Sequence, residues 1–166
     1  HDLPALTARL LDAARAAGAE SADAIAMAGT SISIDVRDGV LEQAERSESI
    51  DIGLRVFVGK QQANVSVSDA REASLLRMAE RAVAMAREAP ADPHAGLAEP
   101  DQLARDTDTA SLDLYDPKEE PSAQALEEDA RAAEAAARAV SGVTMIDSAS
   151  AGYGRSEVYL AASNGF

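Results

Sequence analysis

The sequence predicts an α+β fold: an antiparallel β-meander packed with amphipathic helices in two layers. Three observations predict it. Leu3, Leu6, Leu10, Ala14 and Ala17 recur at helical spacing, whereas Ile50, Ile52, Leu54, Val56 and Val58 alternate as a half-buried strand does. The composition, 46% hydrophobic but only 3% aromatic and without Trp, demands a core of Ala, Leu, Ile and Val. A length of 166 residues is enough to bury such a core.

The elements follow in order. Asp2 is placed to cap the first helix and Gly18 to end it. Beyond it, "ADAIAMAGTSISIDVRDGV" switches to period two, with Ile32, Ile34 and Val36 on one side and Asp38-Gly39 as the turn. The return strand "VLEQAERSE" is polar and predicted half-exposed. A separate strand through Ile50 to Val58 then turns at Gly59-Lys60 into Ala63, Val65 and Val67. Asp69 and Glu72 have the spacing of a capping box for a second helix carrying Leu75, Leu76, Ala79, Ala82, Val83 and Ala86, which halts near Pro90.

Between Pro90 and Pro121 the chain is rich in Pro and Asp, and Leu112, Leu114 and Tyr115 are expected to anchor an extended crossing. A third helix should run from a Ser122 cap through Leu126, Ala130, Ala133 and Ala137 to Val140, with Gly142 ending it. Two strands, "VTMIDSASAGYG" and "SEVYLAAS", come last. The expected organisation is therefore a helix, antiparallel strands and a helix over 1–89, a crossing linker over 90–121, and a helix and strands over 122–166 that complete the same domain. Asn164-Gly165 is a strong hairpin signal, so a further strand is expected after Phe166.

A net charge of −14 argues against direct nucleic-acid contact, because binding that polymer needs Lys and Arg to neutralise phosphates. Much of the acidity lies on helices and linker, as in "LEEDARAAE", where it has the pattern of a solvated face. There is no Cys, which excludes disulfides and thiolate ligands within these residues. No apolar run approaches the roughly 20 residues that cross a bilayer.

The search for chemistry ends without a site: no catalytic, cofactor-binding or metal-ligating residue is assigned. His1 and His94 are the only histidines, too few for a histidine triad or a zinc motif. His94 sits beside Asp92 in a Pro-rich turn and reads as a surface imidazole. Gly152 and Gly154 lack a following helix, so they suggest a bulge or close backbone approach instead of a phosphate cradle. Glu119-Glu120 and Glu127-Glu128-Asp129 have no apolar pocket to shift their ionisation. Phe57 reads as a second packing layer, and Asn64-Val65-Ser66 as an exposed strand.

Ordered phrases add to this reading. "GAESADAIAMAGTSISIDVRDGVLEQAERSESIDIGLRVFVGKQQANVSVSD", "APADPHAGLA", "LDLYDP" and "SNGF" together resemble the N-terminal domain of the TldD/PmbA family, the putative modulators of DNA gyrase, across nearly the whole sequence. The linker phrases are more similar to the PmbA branch, also called TldE, than to the TldD branch.

That resemblance implies a cytoplasmic metallopeptidase complex acting on unfolded peptides, whose zinc belongs to a TldD-like partner or to a C-terminal half outside these residues. It implies a TldD-like subunit or self-dimer as partner, with neither membrane nor direct nucleic-acid contact, and it carries over no functional residue. An alternative is the N-terminal part of a TldD-like zinc metallopeptidase; one of another class is an acidic protein-binding module that modulates DNA gyrase. The expected peptide contact is an exposed strand edge along Ile50 to Val58.

Overall fold

The Asp2 carboxylate accepts a hydrogen bond from the Ala5 amide at 3.0 Å, and from this cap α1 runs Leu3–Ala17. It stops at Gly18, whose φ of 101° is the left-handed conformation that glycine adopts without strain. The computed structural model describes residues 2–166, so His1 lies outside the described residues. The strands are β1 (Ser21–Arg37), β2 (Val40–Val58), β3 (Gln61–Val67) and β4 (Ala149–Ala162), and the remaining helices are α2 (Glu72–Glu88) and α3 (Ala123–Arg138). The four strands form one antiparallel sheet in the order β3-β2-β1-β4, and with the helices they make the expected two-layer α+β fold.

The chain divides into two compact units, and β1, β2 and β4 each contribute residues to both. The first contains the chain through Ala28, Ser49–Asp108 and Glu157–Phe166. Its core joins Leu3, Leu6, Leu10 and Ala14 of α1 to Ile52, Leu54 and Val56 of β2 and to the Leu75, Met78, Ala82 and Ala86 stripe of α2. Ala22, Ala24 and Ala26 of β1 supply small side chains at alternate positions, where helix and sheet must approach closely. Each fully buried Leu, Ile or Val contributes about 1.5–3 kcal/mol. Thr7, also buried, donates its hydroxyl to the Leu3 and Pro4 carbonyls and so leaves no unpaired polar group.

The second unit contains Gly29–Glu48 and Thr109–Ser156. Its smaller core sets Ile32, Ile34 and Val36 of β1 against Leu126 and Ala130 of α3, with Ala151 and Tyr153 partly buried beside them. The Ser122 hydroxyl caps α3 by accepting from the Ala125 amide at 3.1 Å.

Several local expectations are corrected. The polar return strand and the strand through Ile50 are one continuous β2, because nothing at Glu48-Ser49-Ile50 supplies turn chemistry. Likewise the two last strands are one, β4, and Val143–Ile146 lies outside it. The N-cap of α2 is Arg71, not Asp69; the Asp69 carboxylate instead receives the Arg71 amide at 3.0 Å and the Ser74 hydroxyl at 2.6 Å. On α2 Leu76 is exposed, and Met78 is buried. Ala133 and Ala137 of α3 face solvent because the buried stripe continues from Leu126 and Ala130 to Glu134. In the linker Leu112, Leu114 and Tyr115 remain exposed and do not act as buried anchors; the Arg155 guanidinium stacks 4.9 Å from the centre of the Tyr115 ring.

Candidate functional site

Strand register decides which edges are open. β2 pairs antiparallel with β3 from Ile52↔Val67 to Val58↔Gln61 and nowhere else. With β1 on its other side, the stretch Ile52–Val58 lies inside the sheet. The expected peptide-accepting edge along Ile50 to Val58 is thereby corrected, since β3 occupies the backbone groups that a peptide would need. The outer edges belong to β3 and β4, and β2 is itself an edge over Val40–Glu48, where it has outrun β3.

On the face of the first unit opposite its helices, the Arg55 guanidinium is held by both carboxylate oxygens of Asp23 and lies 5.2 Å over the ring of Phe57. Phe57 is only 2% exposed, which makes it the second packing layer that its sequence context suggested. Gly53 opens a groove beside this cluster, bordered by Ile25, Asn64 and Ser66. A Cβ at position 53 would sit 2.9 Å from Ile25 Cγ2, so Ile25 occupies the space that glycine leaves.

In the second unit Glu134, 4% exposed, accepts from the amides of Asp38 at 2.7 Å and Gly39 at 2.8 Å and pairs with Arg138 at 2.9 Å. Arg138 also donates to Asp38 at 3.0 Å, and this hydrogen bond, with the attraction of Glu134, raises its pKa further above the usual arginine range. These contacts clamp the tip of the β1–β2 hairpin onto α3. A cleft of about 330 Å³ beside it is lined by Arg37, Arg138 and Val143–Asp147. Arg37 donates to the Asp147 carbonyl at 2.7 Å, so both guanidiniums in this cleft already have acidic or carbonyl partners.

The other residues weighed in the sequence are placed as follows. His94 is exposed, and its amide donates to Asp92 at 2.9 Å. Glu127 pairs with Arg131 one helical turn on, Glu128 accepts from Gln124 at 3.0 Å, and Glu120 meets Arg46 at 3.4 Å. Gly152 marks a close approach, because a Cβ there would stand 3.1 Å from the Ile32 carbonyl oxygen. Asn64 and Ser66 are exposed on β3. The sequence has no Cys, and among the described residues no three of His, Cys, Asp or Glu are grouped to hold a metal. No helix among the described residues is long and apolar enough to cross a membrane.

Glu134 is the residue that sequence reasoning missed. Leu126, Ala130 and Glu134 fall at i, i+4 and i+8 on one helix face, but that spacing does not show what a carboxylate there would meet.

Residues 22–86 match the family described as PmbA/TldA metallopeptidase domain 1. The chain belongs to the PmbA/TldD family and corresponds to its first domain.

It is 32% identical over 115 residues to the Metalloprotease PmbA of Escherichia coli, and 31% over 105 residues to the Metalloprotease PmbA homolog of Haemophilus influenzae. Those alignments cover 69% and 63% of this chain but only 25% and 23% of the relatives, so the chain spans about a quarter of their length. TldE from Thermococcus kodakarensis superposes with a TM-score of 0.75 at 16% identity, over 96% of this chain and 35% of that one. A protein from Bacteroides thetaiotaomicron described as a modulator of DNA gyrase superposes with a TM-score of 0.74 at 20% identity, over 98% of this chain and 37% of that one. At these identities the superpositions establish the shared fold.

Proposed function

We propose that this chain is the N-terminal domain of a PmbA/TldE-like subunit in a TldD/TldE-type metallopeptidase complex that degrades or processes unfolded peptides in the cytoplasm. In this reading the subunit is non-catalytic; it contributes contacts to a TldD-like partner and helps to enclose the peptide, and zinc is carried by that partner. The observation that carries the reading is the 32% identity to Metalloprotease PmbA over 69% of the chain. The linker phrases favour the PmbA branch.

The test is native mass spectrometry on the polypeptide that carries this domain, captured from its own cells, reading assembly mass and bound metal together. A heterodimer whose zinc resides on the other chain supports the proposal. A homodimer with zinc on every copy overturns it in favour of a TldD-like enzyme.

One observation favours a second reading, an acidic module that modulates DNA gyrase by protein contact. The net charge of −14 suits capture of a basic protein surface, and one of the superposed structures is described as a modulator of that enzyme. Under this reading, partner capture weakens steeply with salt and proceeds without peptide hydrolysis.

A further inference from the structure

β2 is 19 residues long and β3 only seven, and this mismatch leaves an open strand edge. Over Val40–Glu48 one side of β2 faces β1, while among the described residues no strand covers the other. Among the described residues, none of these nine makes a backbone hydrogen bond outside the sheet ladder. In an antiparallel strand alternate residues point both N–H and C=O outward, so about four residues here present unpaired donor–acceptor sets. Every side chain over the same stretch is exposed. At roughly 3.3 Å per residue the edge is about 30 Å long, room for a peptide of eight or nine residues.

The charges on this edge select its occupant. Glu42, Glu45 and Glu48 lie along it against a single base, Arg46; strand alternation puts Glu42 and Glu48 on one face and Glu45 on the other, so the edge is acidic on both faces. Arg46 is engaged by Glu48 and by Glu120 at 3.4 Å, bonds that raise its pKa further above the usual arginine range. Glu42 shares Arg37 at 3.4 Å, and Glu45 has no ion-pair partner among the described residues. An acidic chain laid along this edge would meet like charge at short range, whereas Lys or Arg side chains would meet carboxylates.

We propose that the Val40–Glu48 edge of β2 is a docking strand for extended, Lys/Arg-bearing peptide, which adds to the sheet through backbone hydrogen bonds and is selected by Glu42, Glu45 and Glu48. The assignment rests on the peptide-handling function proposed above and names both the segment that touches peptide and the peptide class. Backbone pairing makes the site tolerant of sequence; the glutamates bias it toward basic segments.

The experiment is hydrogen–deuterium exchange on this chain with four synthetic nine-residue peptides: one of alternating Val and Lys, its Val/Glu counterpart, and two Val/Lys peptides N-methylated at one or the other alternate set of amides. Protection gained over residues 40–48 with the basic peptide, lost with the acidic one and lost on methylation of one alternate set of amides but not the other, is the expected result. Glu45→Lys, at an exposed position without an ion pair, is expected to weaken the basic peptide several-fold while leaving protection of the core amides unchanged.

Protection gained instead along β3 or β4 would overturn this assignment and leave the peptide-handling function standing. Equal binding of acidic and basic peptides would overturn the selection by charge. Protection over 40–48 that grows with protein concentration alone would mean that a second copy occupies the edge. If no peptide binds this chain while the native complex still hydrolyses peptide, only the docking strand fails. If neither occurs, the function proposed above fails with it.

Discussion

Glu134 Oε2 lies 2.8 Å from the amide nitrogen of Gly39, a residue 95 positions away in the chain. With Oε1 on the Asp38 amide, one buried carboxylate fixes both residues at the tip of the hairpin. Glu134→Ala leaves those two amides without their acceptor and is expected to destabilise by about 1–3 kcal/mol. Exchange at the Asp38 and Gly39 amides should accelerate in the variant while α1 stays protected. Unchanged exchange at the tip would mean that the clamp contributes nothing.

Gly53 is expected to resist substitution. Because an added Cβ would stand 2.9 Å from Ile25 Cγ2, Gly53→Ala should cost about 1–3 kcal/mol in a urea titration. Combining it with Ile25→Ala should recover part of that loss, because the two residues compete for one space. Additive costs would place the strain elsewhere.

Phe57 and Arg55 form a stacked pair on the sheet face opposite the helices. Phe57→Ala removes a ring that is 2% exposed and should cost about 3–5 kcal/mol, whereas Phe57→Leu should cost less. Arg55→Ala, which strips the cover but keeps the ring, should fall below both. Urea midpoints of the three variants check the order.

Asp69 makes the start of α2 sensitive to acid. The Arg71 side chain first, then the Ser74 hydroxyl, hold its carboxyl well below the usual carboxylate range. The folded pKa is thus below the unfolded one, so this contribution is present above about pH 4 and fades as pH falls further. Asp69→Asn should lower stability at pH 7 and flatten the decline between pH 4 and pH 2. Equal acid sensitivity in both proteins would show that other carboxylates carry the decline.

Much of the fold was legible because its signals are local. Asp2 and Gly18 bracket α1 by chemistry that acts within one turn, and the alternation of Ile52, Leu54 and Val56 reports burial directly. What stayed hidden depends on partners distant in sequence. Nothing in "LEEDARAAE" distinguishes the buried Glu134 from Glu127 or Glu128 until α3 is known to meet the Asp38-Gly39 turn. Similarly, the alternation of Ile50 to Val58 identifies a strand but not its neighbours, and register alone moved the open edge to residues 40–48. The linker residues Leu112, Leu114 and Tyr115 are apolar enough to suggest anchoring, yet the structure offers them no cavity to fill.

The open stretch of β2 has a second consequence, for how the protein behaves in a crowded solution. A bare strand edge is where identical chains adhere and grow into aggregates, and proteins restrain it with charge. Glu42, Glu45 and Glu48 are spaced along that bare backbone as gatekeepers. Solubility should therefore depend on these three carboxylates far more than on the four acids of α3: a protein stripped of charge on its helix stays dispersed, whereas one stripped of charge on this edge becomes its own precipitant.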